Sequence, residues 1–379
     1  GSLKKSIFKE SGFAVYEQQH AIHNQFSEIR YFIDANKFKE MKRFELRPND
    51  LIMSCSGTMG KVAIVPQDIQ KGIINQALLK LTCKDKLKVD YLKLWMDSNQ
   101  FVEEIEKNTV GAAIKNVASV KVLKTIKIPI PPILEQQRIV SILNRAFTAI
   151  DQAKANAEKN LKNAAALFES YLQDVFESQR EDWEEKTLGE ICKTGAGGTP
   201  LKANKDYYQD GTIPWLLSGE VSQGEIFMAK NFITEKGLKN SSAKLFPSNT
   251  VLIAMYGATA GEVGILKFEA ATNQAVCGIL PNENFIPEFL YYKFLSSRRA
   301  LVLQAVGGAQ PNISQVKIKN TLVPIISLER QQTIVSKLDT LRAETQKLET
   351  LYQKKINALD ELKKSLLQKA FEGELYDDE

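Results

Sequence analysis

The sequence is short of the residues that usually announce chemistry. Its 379 residues include two histidines, three tryptophans and four cysteines. Cys55, Cys83, Cys192 and Cys277 form no C-x-x-C pair, and only His20 and His23 could join them in holding a metal. Free thiols in a reducing cytoplasm are therefore expected, with no metal site and no disulfide framework. No apolar run approaches the roughly 18 residues that span a bilayer, and no N-terminal signal pattern appears, so no membrane is expected among the partners. Gly1-Ser2 reads as the scar of a removed tag. No Walker A loop is present, since Gly57-Thr58-Met59-Gly60-Lys61 is too short, and no glycine-rich cofactor motif follows a strand. The net charge of +5 is mild; it permits nucleic-acid binding without demanding it.

What is present is a repeat. The length already argues for two or more domains. "PIPPILEQQRIVSIL" from Pro129 returns as "PIISLERQQTIVSKL" from Pro324, and the match continues without a gap to Phe176 and Phe371 at a constant offset of 195. Upstream, "NQAL" at Asn75 pairs with "NQAV" at Asn273, "SGTMGKVAIV" at Ser56 with "YGATAGEVGIL" at Tyr256, and "YFID" at Tyr31 with "NFIT" at Asn231, at offsets drifting between 198 and 201. A drifting offset marks loops that take insertions; a fixed one marks a helix held in register. Each repeat thus has a globular section, where short apolar runs such as "DLIMSCSG" and "TVLIAMYG" read as strands and turns. A helical section follows the prolines, which disfavour helix before them.

The helical sections carry heptads. In the first, a positions are Leu143, Ile150, Ala157, Ala164 and Tyr171, and d positions Ala146, Ala153, Asn160 and Leu167. In the second, a positions are Leu338, Thr345, Tyr352, Leu359 and Leu366, and d positions Leu341, Leu348, Lys355 and Leu362. Leu161 and Ile356 fall on the same flank. This spacing predicts a coiled-coil seam in which an alanine-rich face meets a leucine-rich one. The alternative is two amphipathic helices, each packed on its own domain. A length of ~60 Å at 1.5 Å per residue favours the seam. If the helices pair antiparallel, the two halves acquire a pseudo-two-fold relation suited to duplex DNA.

The order globular–helix–globular–helix, the "P-x-P-P-x-L-E-Q-Q-R-I" hinge, "TLGEICKTGAGGTP" (Thr187–Pro200) and "GTIPWLLSGEV" (Gly211–Val221) together resemble the DNA specificity subunit of type I restriction–modification systems, the HsdS family. The resemblance covers nearly the whole chain. It implies an α+β fold: two globular α/β target recognition domains separated by two long helices that form an antiparallel coiled coil, with a pseudo-two-fold internal repeat. The expected divisions are residues 1–132 and 181–327 for the recognition domains and 133–180 and 328–379 for the helices with the C-terminal tail. The resemblance further implies a non-catalytic chain in which each recognition domain reads one half of a bipartite double-stranded DNA target. The helices would set the spacer and dock two methyltransferase subunits, which carry the S-adenosylmethionine, so the chain itself needs no cofactor. Restriction subunits would join to cut. Consistent with this, no N/D-P-P-Y/F catalytic motif is present. One departure stands out. Nothing in the first half corresponds to residues 187–208, because "GFAVYEQQHAI" at Gly12 already matches "TIPWLLSGEV", and the first recognition domain looks clipped at its N-terminus.

Base edges are read by side chains with paired donors and acceptors, and phosphates by Lys, Arg or exposed backbone N–H groups. In "YEQQHAIHNQ" the candidates are Gln18, Gln19, His20 and Asn24; a solvated loop is the alternative. The matching place in the second half offers Ser218 and Glu220. The paired glycine-rich loops offer Ser56, Thr58 and Lys61 in the first half and Tyr256 and Thr259 in the second, with plain turns as the alternative. Thr199, and Lys115 and Gln310 in a further pair of matching loops, complete the set. Trp95 is expected in the core. Two other readings compete: a coiled-coil structural adaptor with two protein-binding heads, and an enzyme on an unfamiliar fold. A gel shift with methyltransferase subunits added separates the first of these from a DNA reader. For the second, the sequence assembles no paired catalytic groups.

Overall fold

The computed structural model describes residues 3–55, 58–107, 123–177, 183–303 and 312–374. The chain divides into two compact units, residues 1–159 with 352–379, and residues 160–351. Each contains a globular section and part of both long helices.

In the first unit the strands are β1 (Phe13–Tyr16), β2 (Tyr31–Ile33), β3 (Leu51–Ser54), β4 (Val62–Ile64), β5 (Gly72–Ile74) and β6 (Leu78–Leu81). They form two sheets, ordered β2-β1-β5 and β4-β3-β6. In the second unit the strands are β7 (Glu184–Thr187), β8 (Thr194–Ala196), β9 (Ile213–Leu216), β10 (Glu225–Ile226), β11 (Phe232–Ile233), β12 (Leu245–Phe246), β13 (Val251–Ala254), β14 (Val263–Leu266), β15 (Ala270–Thr272), β16 (Val276–Ile279) and β17 (Leu322–Ile325). Their sheets run β11-β9-β15-β12, β10-β14-β13-β16-β8 and β17-β7.

The repeat seen in sequence is a repeat of topology. β1 pairs antiparallel with β2 and parallel with β5, and β9 does the same with β11 and β15. β3 lies between antiparallel β4 and β6 as β13 lies between β14 and β16. The middle strands "LIMS" and "VLIA" are buried throughout. That explains why they are unbroken apolar runs rather than alternating ones. Even the turn that feeds them is shared: Asn49 and Asn249 both adopt φ near +67°, at 66° and 68°, a left-handed setting that asparagine tolerates. Trp95 is buried in the core of the first unit, as expected.

The long helices run Ile133–Glu177 and Leu328–Glu372, each 45 residues. In the first unit they pair antiparallel: Lys154 meets Asp360 at 2.7 Å, and three residues back Asp151 meets Lys363 at 2.8 Å, three residues on. The a positions seat as predicted. Leu143, Ile150, Ala157 and Leu338 are buried, and Leu359 is half-buried.

The d positions are corrected by the structure. Leu167, Leu348 and Leu362 are 52%, 39% and 46% exposed, while Leu341 is half-buried like Leu359. The second row of the seam lies one residue further on: Phe147, Lys154, Leu161, Phe168 and Val175 on the first helix, and Arg342, Glu349, Ile356, Lys363 and Ala370 on the second. The reason is that long polar side chains fill seam positions. Lys363 lays its stem beside the Phe147 ring, its ammonium 4.9 Å from the centroid, and carries the charge on to Asp151. Arg342 does likewise over Phe168 and Tyr291. Counting apolar residues alone misses such positions.

The repeated hinge motif also has a structural purpose. Gln136 and Gln331, each the first residue of a Gln–Gln pair, are wholly buried at the start of the long helices. Gln136 accepts from the Lys88 N–H and donates to the carbonyls of Lys86 and Pro131. Gln331 accepts from the Ile286 N–H and donates to those of Asn284 and Ile326. In each unit one amide clamps the helix start, the segment before it and the loop that enters an earlier helix, Val89–Met96 in the first unit and Pro287–Leu303 in the second.

Candidate nucleic-acid interface

Three loops meet at one rim of each globular section, joined by the same backbone bonds. In the second unit the Asn273 N–H donates to the Leu216 carbonyl and the Met255 N–H to that of Ala275. In the first, Asn75 donates to Tyr16 and Cys55 to Ala77. Each rim therefore gathers the turn after β1 or β9, the glycine-rich loop after β3 or β13, and the "NQA" turn before β6 or β16. The turn is self-bracing, since Asn75 and Asn273 each accept the N–H two residues on, from Ala77 and Ala275.

Most of the described candidates lie on these loops. Gln19, Asn24, Thr58 and Lys61 are exposed, and Gln18 is half-buried. In the second unit Tyr256 is exposed, while Ser218 and Thr259 are half-buried. Thr199 is drawn to the same rim by the bond its hydroxyl donates to Gln274. Asn24 ends the short Gln18–His23 helix with φ 49°, closing it as a left-handed cap. Ser56, Lys115 and Gln310 lie outside the described residues.

His20 and Glu220 are corrected. They occupy matching positions, 0% and 5% exposed, and are committed to the turn itself. His20 Nδ1 lies 2.9 Å from both the N–H and the carbonyl of Glu17, and Nε2, facing the Glu28 carbonyl at 3.1 Å, is placed to donate to it. Glu220 accepts from the Leu217 N–H at 2.9 Å and from the Lys230 N–H at 3.0 Å. Both pin a helical turn to a more distant strand connection. Neither presents a hydrogen-bonding edge outward.

Gln76 and Gln274 were not among the candidates, yet both are exposed at the centre of the rim turn. The signal was in the sequence: "NQA" is written at matching places in both halves. The asparagine is explained by its turn, whereas the glutamine takes no part in bracing it; Gln274 accepts from the Thr199 hydroxyl at the rim.

The described cysteines are not activated thiols. Burial pushes the thiols of Cys55, Cys83 and Cys192 up, and that of Cys277 to about 12, away from the depressed values of reactive cysteines. Among the described residues no three His, Cys, Asp or Glu side chains are grouped to hold a metal ion, and no helix is long and apolar enough to cross a membrane.

Comparison with known proteins gives the family. The profile of the type I restriction modification DNA specificity domain matches residues 1–162 and again 180–358. The chain belongs to that family, and carries its domain twice. It is 29% identical over 272 residues to the EcoR124I/EcoR124II specificity subunit of Escherichia coli, covering 68% of this chain and 64% of that one. It is 25% identical over 356 residues to the MjaVIII specificity subunit of Methanocaldococcus jannaschii, covering 86% and 82%. The matched part of the Escherichia coli subunit is thus a little under two thirds of its length. Among solved structures, one from a study of complex assembly and conformational transition of the type I R-M system superposes with a TM-score of 0.77 at 18% identity, covering 95% of this chain and 91% of the other. The HsdS subunit of Thermoanaerobacter tengcongensis superposes at 0.67 with 18% identity, covering 97% and 93%. These likenesses establish the fold.

Proposed function

We propose that the chain is the non-catalytic DNA-reading subunit of a type I restriction–modification complex, with each rim reading one half of a bipartite double-stranded target. The observation that carries this reading is a scaffold held constant under changing side chains. The backbone bonds joining the three loops are the same in both units. The residues they present differ: Gln18 stands opposite Ser218, and Lys61 opposite Glu262. A protein that reads two different half-sites needs this combination. Bidentate contacts from Gln, Asn or Lys discriminate bases, and exposed loop N–H groups take phosphates.

In this reading the paired helices are the ruler between half-sites. Together with their exposed leucines they are the seat of two methyltransferase subunits, which supply S-adenosylmethionine; restriction subunits complete the complex in the cytoplasm. The test is reconstitution with the methyltransferase subunits of the same system, followed by selection of bound duplexes from a random library with variable spacers. Two short fixed blocks separated by a fixed unspecified gap are expected. Methyl transfer by the chain alone, or a single uninterrupted site, overturns the proposal.

A further inference from the structure

We infer that Thr199 is a positioning residue that holds the side-chain amide of Gln274 in one orientation, so that the second rim reads an adenine at that point. The inference rests on the DNA-reading function proposed above and assigns one of its base contacts.

Both residues sit on anchored backbone. Gly197 follows β8, and its N–H donates to the Val276 carbonyl at 3.1 Å. The Gly198 N–H donates to the Thr272 carbonyl at 2.8 Å, and the Gly198 carbonyl accepts from Trp215 Nε1 at 3.0 Å. On the far side of Thr199, the Pro200 carbonyl accepts from the Tyr208 hydroxyl. This close approach requires the two glycines. A Cβ on Gly197 would lie 2.2 Å from Thr272 Oγ1, and one on Gly198 would lie 2.3 Å from the Ala243 nitrogen. The backbone beside Gln274 is held as firmly. The Asn273 N–H donates to the Leu216 carbonyl, the Asn273 carbonyl accepts from the Val276 N–H, and the Asn273 side chain accepts from the Ala275 N–H.

Two fixed backbones leave the glutamine side chain as the moving part. Gln274 is exposed, and an unrestrained amide turns over, exchanging its oxygen for its nitrogen. The Thr199 hydroxyl removes that freedom by donating to Gln274 Oε1. Oε1 keeps its second lone pair and Nε2 keeps both hydrogens; among the described residues no bond engages Nε2. The held amide therefore presents one acceptor and one donor in a fixed order. That is the pattern that meets adenine in the major groove, Nε2 donating to N7 and Oε1 accepting from N6. Turned over, the same amide offers single bonds to guanine or cytosine instead. Thr199 thus sharpens the reading through Gln274 rather than by a base contact of its own.

The test assembles the full chain with the methyltransferase subunits of its own system and selects duplexes from a random library with variable spacers. Gln274→Ala should make one adenine of one block degenerate. Thr199→Val keeps the shape of the side chain and removes its hydroxyl. It should relax that same adenine, with discrimination against the other bases falling roughly three- to tenfold in competition binding. Thr199→Ser should restore it. On the Gln274→Ala background, Thr199→Val should change nothing further, and hydrogen exchange at the Gly197 and Gly198 N–H groups should match the wild type. Undiminished discrimination in Thr199→Val overturns the inference, as does failure of Thr199→Ser to restore it. So does a further loss on the Gln274→Ala background, faster exchange at the two glycines, or a degenerate position that is not adenine. All of these are read against a wild-type complex that selects two blocks. A wild-type complex that selects one uninterrupted site overturns the proposed function itself, and this inference with it.

Discussion

The two units solve one problem at the turn after β1 and β9 with different chemistry. The first uses a histidine ring, with Nδ1 facing the Glu17 N–H and Nε2 facing the Glu28 carbonyl; the second uses a carboxylate that accepts twice. The turn, its three-residue spacing and the burial are the same. What the repeat preserves is therefore the hydrogen-bond requirement, while the residue that meets it follows the polarity of the second partner, a carbonyl in one unit and an N–H in the other. At the helix start the second partners are alike, and there the residue itself is preserved as Gln136 and Gln331.

That contrast orders a set of mutations. The largest effect is expected from Gln136→Ala and Gln331→Ala. Each removes a buried amide that joins one N–H and two carbonyls, at about 1 kcal/mol per bond, and leaves a cavity behind it, for a total on the order of 4 kcal/mol. Hydrogen exchange should accelerate in the unit that carries the change and not in the other. A silent substitution in either unit breaks the equivalence of the two hinges.

Next come the seam residues. Leu143→Ala and Leu338→Ala empty fully buried sites and should cost about 2–5 kcal/mol. Leu348→Ala and Leu362→Ala remove exposed side chains and should stay within about 0.5 kcal/mol. Denaturant midpoints of the four variants check this. Equal losses at all four would restore the d row that heptad counting predicts.

The exchange of turn residues ranks third. His20→Glu sets a carboxylate against the Glu28 carbonyl. Glu220→His offers a neutral ring one acceptor where two N–H groups need one. Each exchange should cost about 2 kcal/mol, no less than alanine at the same site. An exchange tolerated in both directions would mean that the turn selects only for a polar residue of the right size.

These comparisons also show where sequence reasoning reached and where it stopped. The repeat, the long helices, the strand runs and the a positions were all legible, because periodicity and burial follow each other closely there. Lys363 and Arg342 were not legible as seam residues. Their stems are apolar and their ends are not, and only the facing Phe147 and Phe168 decide which part counts. His20 looked like a reader because its neighbours are polar. Its burial depends on Glu28, eight residues away, and on the ring of Tyr16 beneath it, with centroids 5.1 Å apart. Gln76 and Gln274 stand inside a repeated tripeptide, and repetition alone does not separate a residue that braces a turn from one that the turn presents.

The smallest effect on stability, and the sharpest on function, belongs to those two glutamines. Both are exposed, and the turn that carries each is braced by its asparagine, so Gln76→Ala and Gln274→Ala should leave unfolding unchanged within about 0.5 kcal/mol. A glutamine that reads adenine through both its amide groups contributes about 1–3 kcal/mol of discrimination at one base pair. Since the rims belong to separate units, each change should relax one position in one half-site and leave the other half unaltered. Selected sites of the two variants, assembled with methyltransferase subunits, would show this as a single degenerate position moving from one block to the other. Gln19→Ala should act on the same block as Gln76→Ala, and Thr259→Ala on the same block as Gln274→Ala. If the pairs cross over, or if both blocks degrade together, the rims do not read independent halves, and matched bonds beneath unlike side chains no longer support a two-part target.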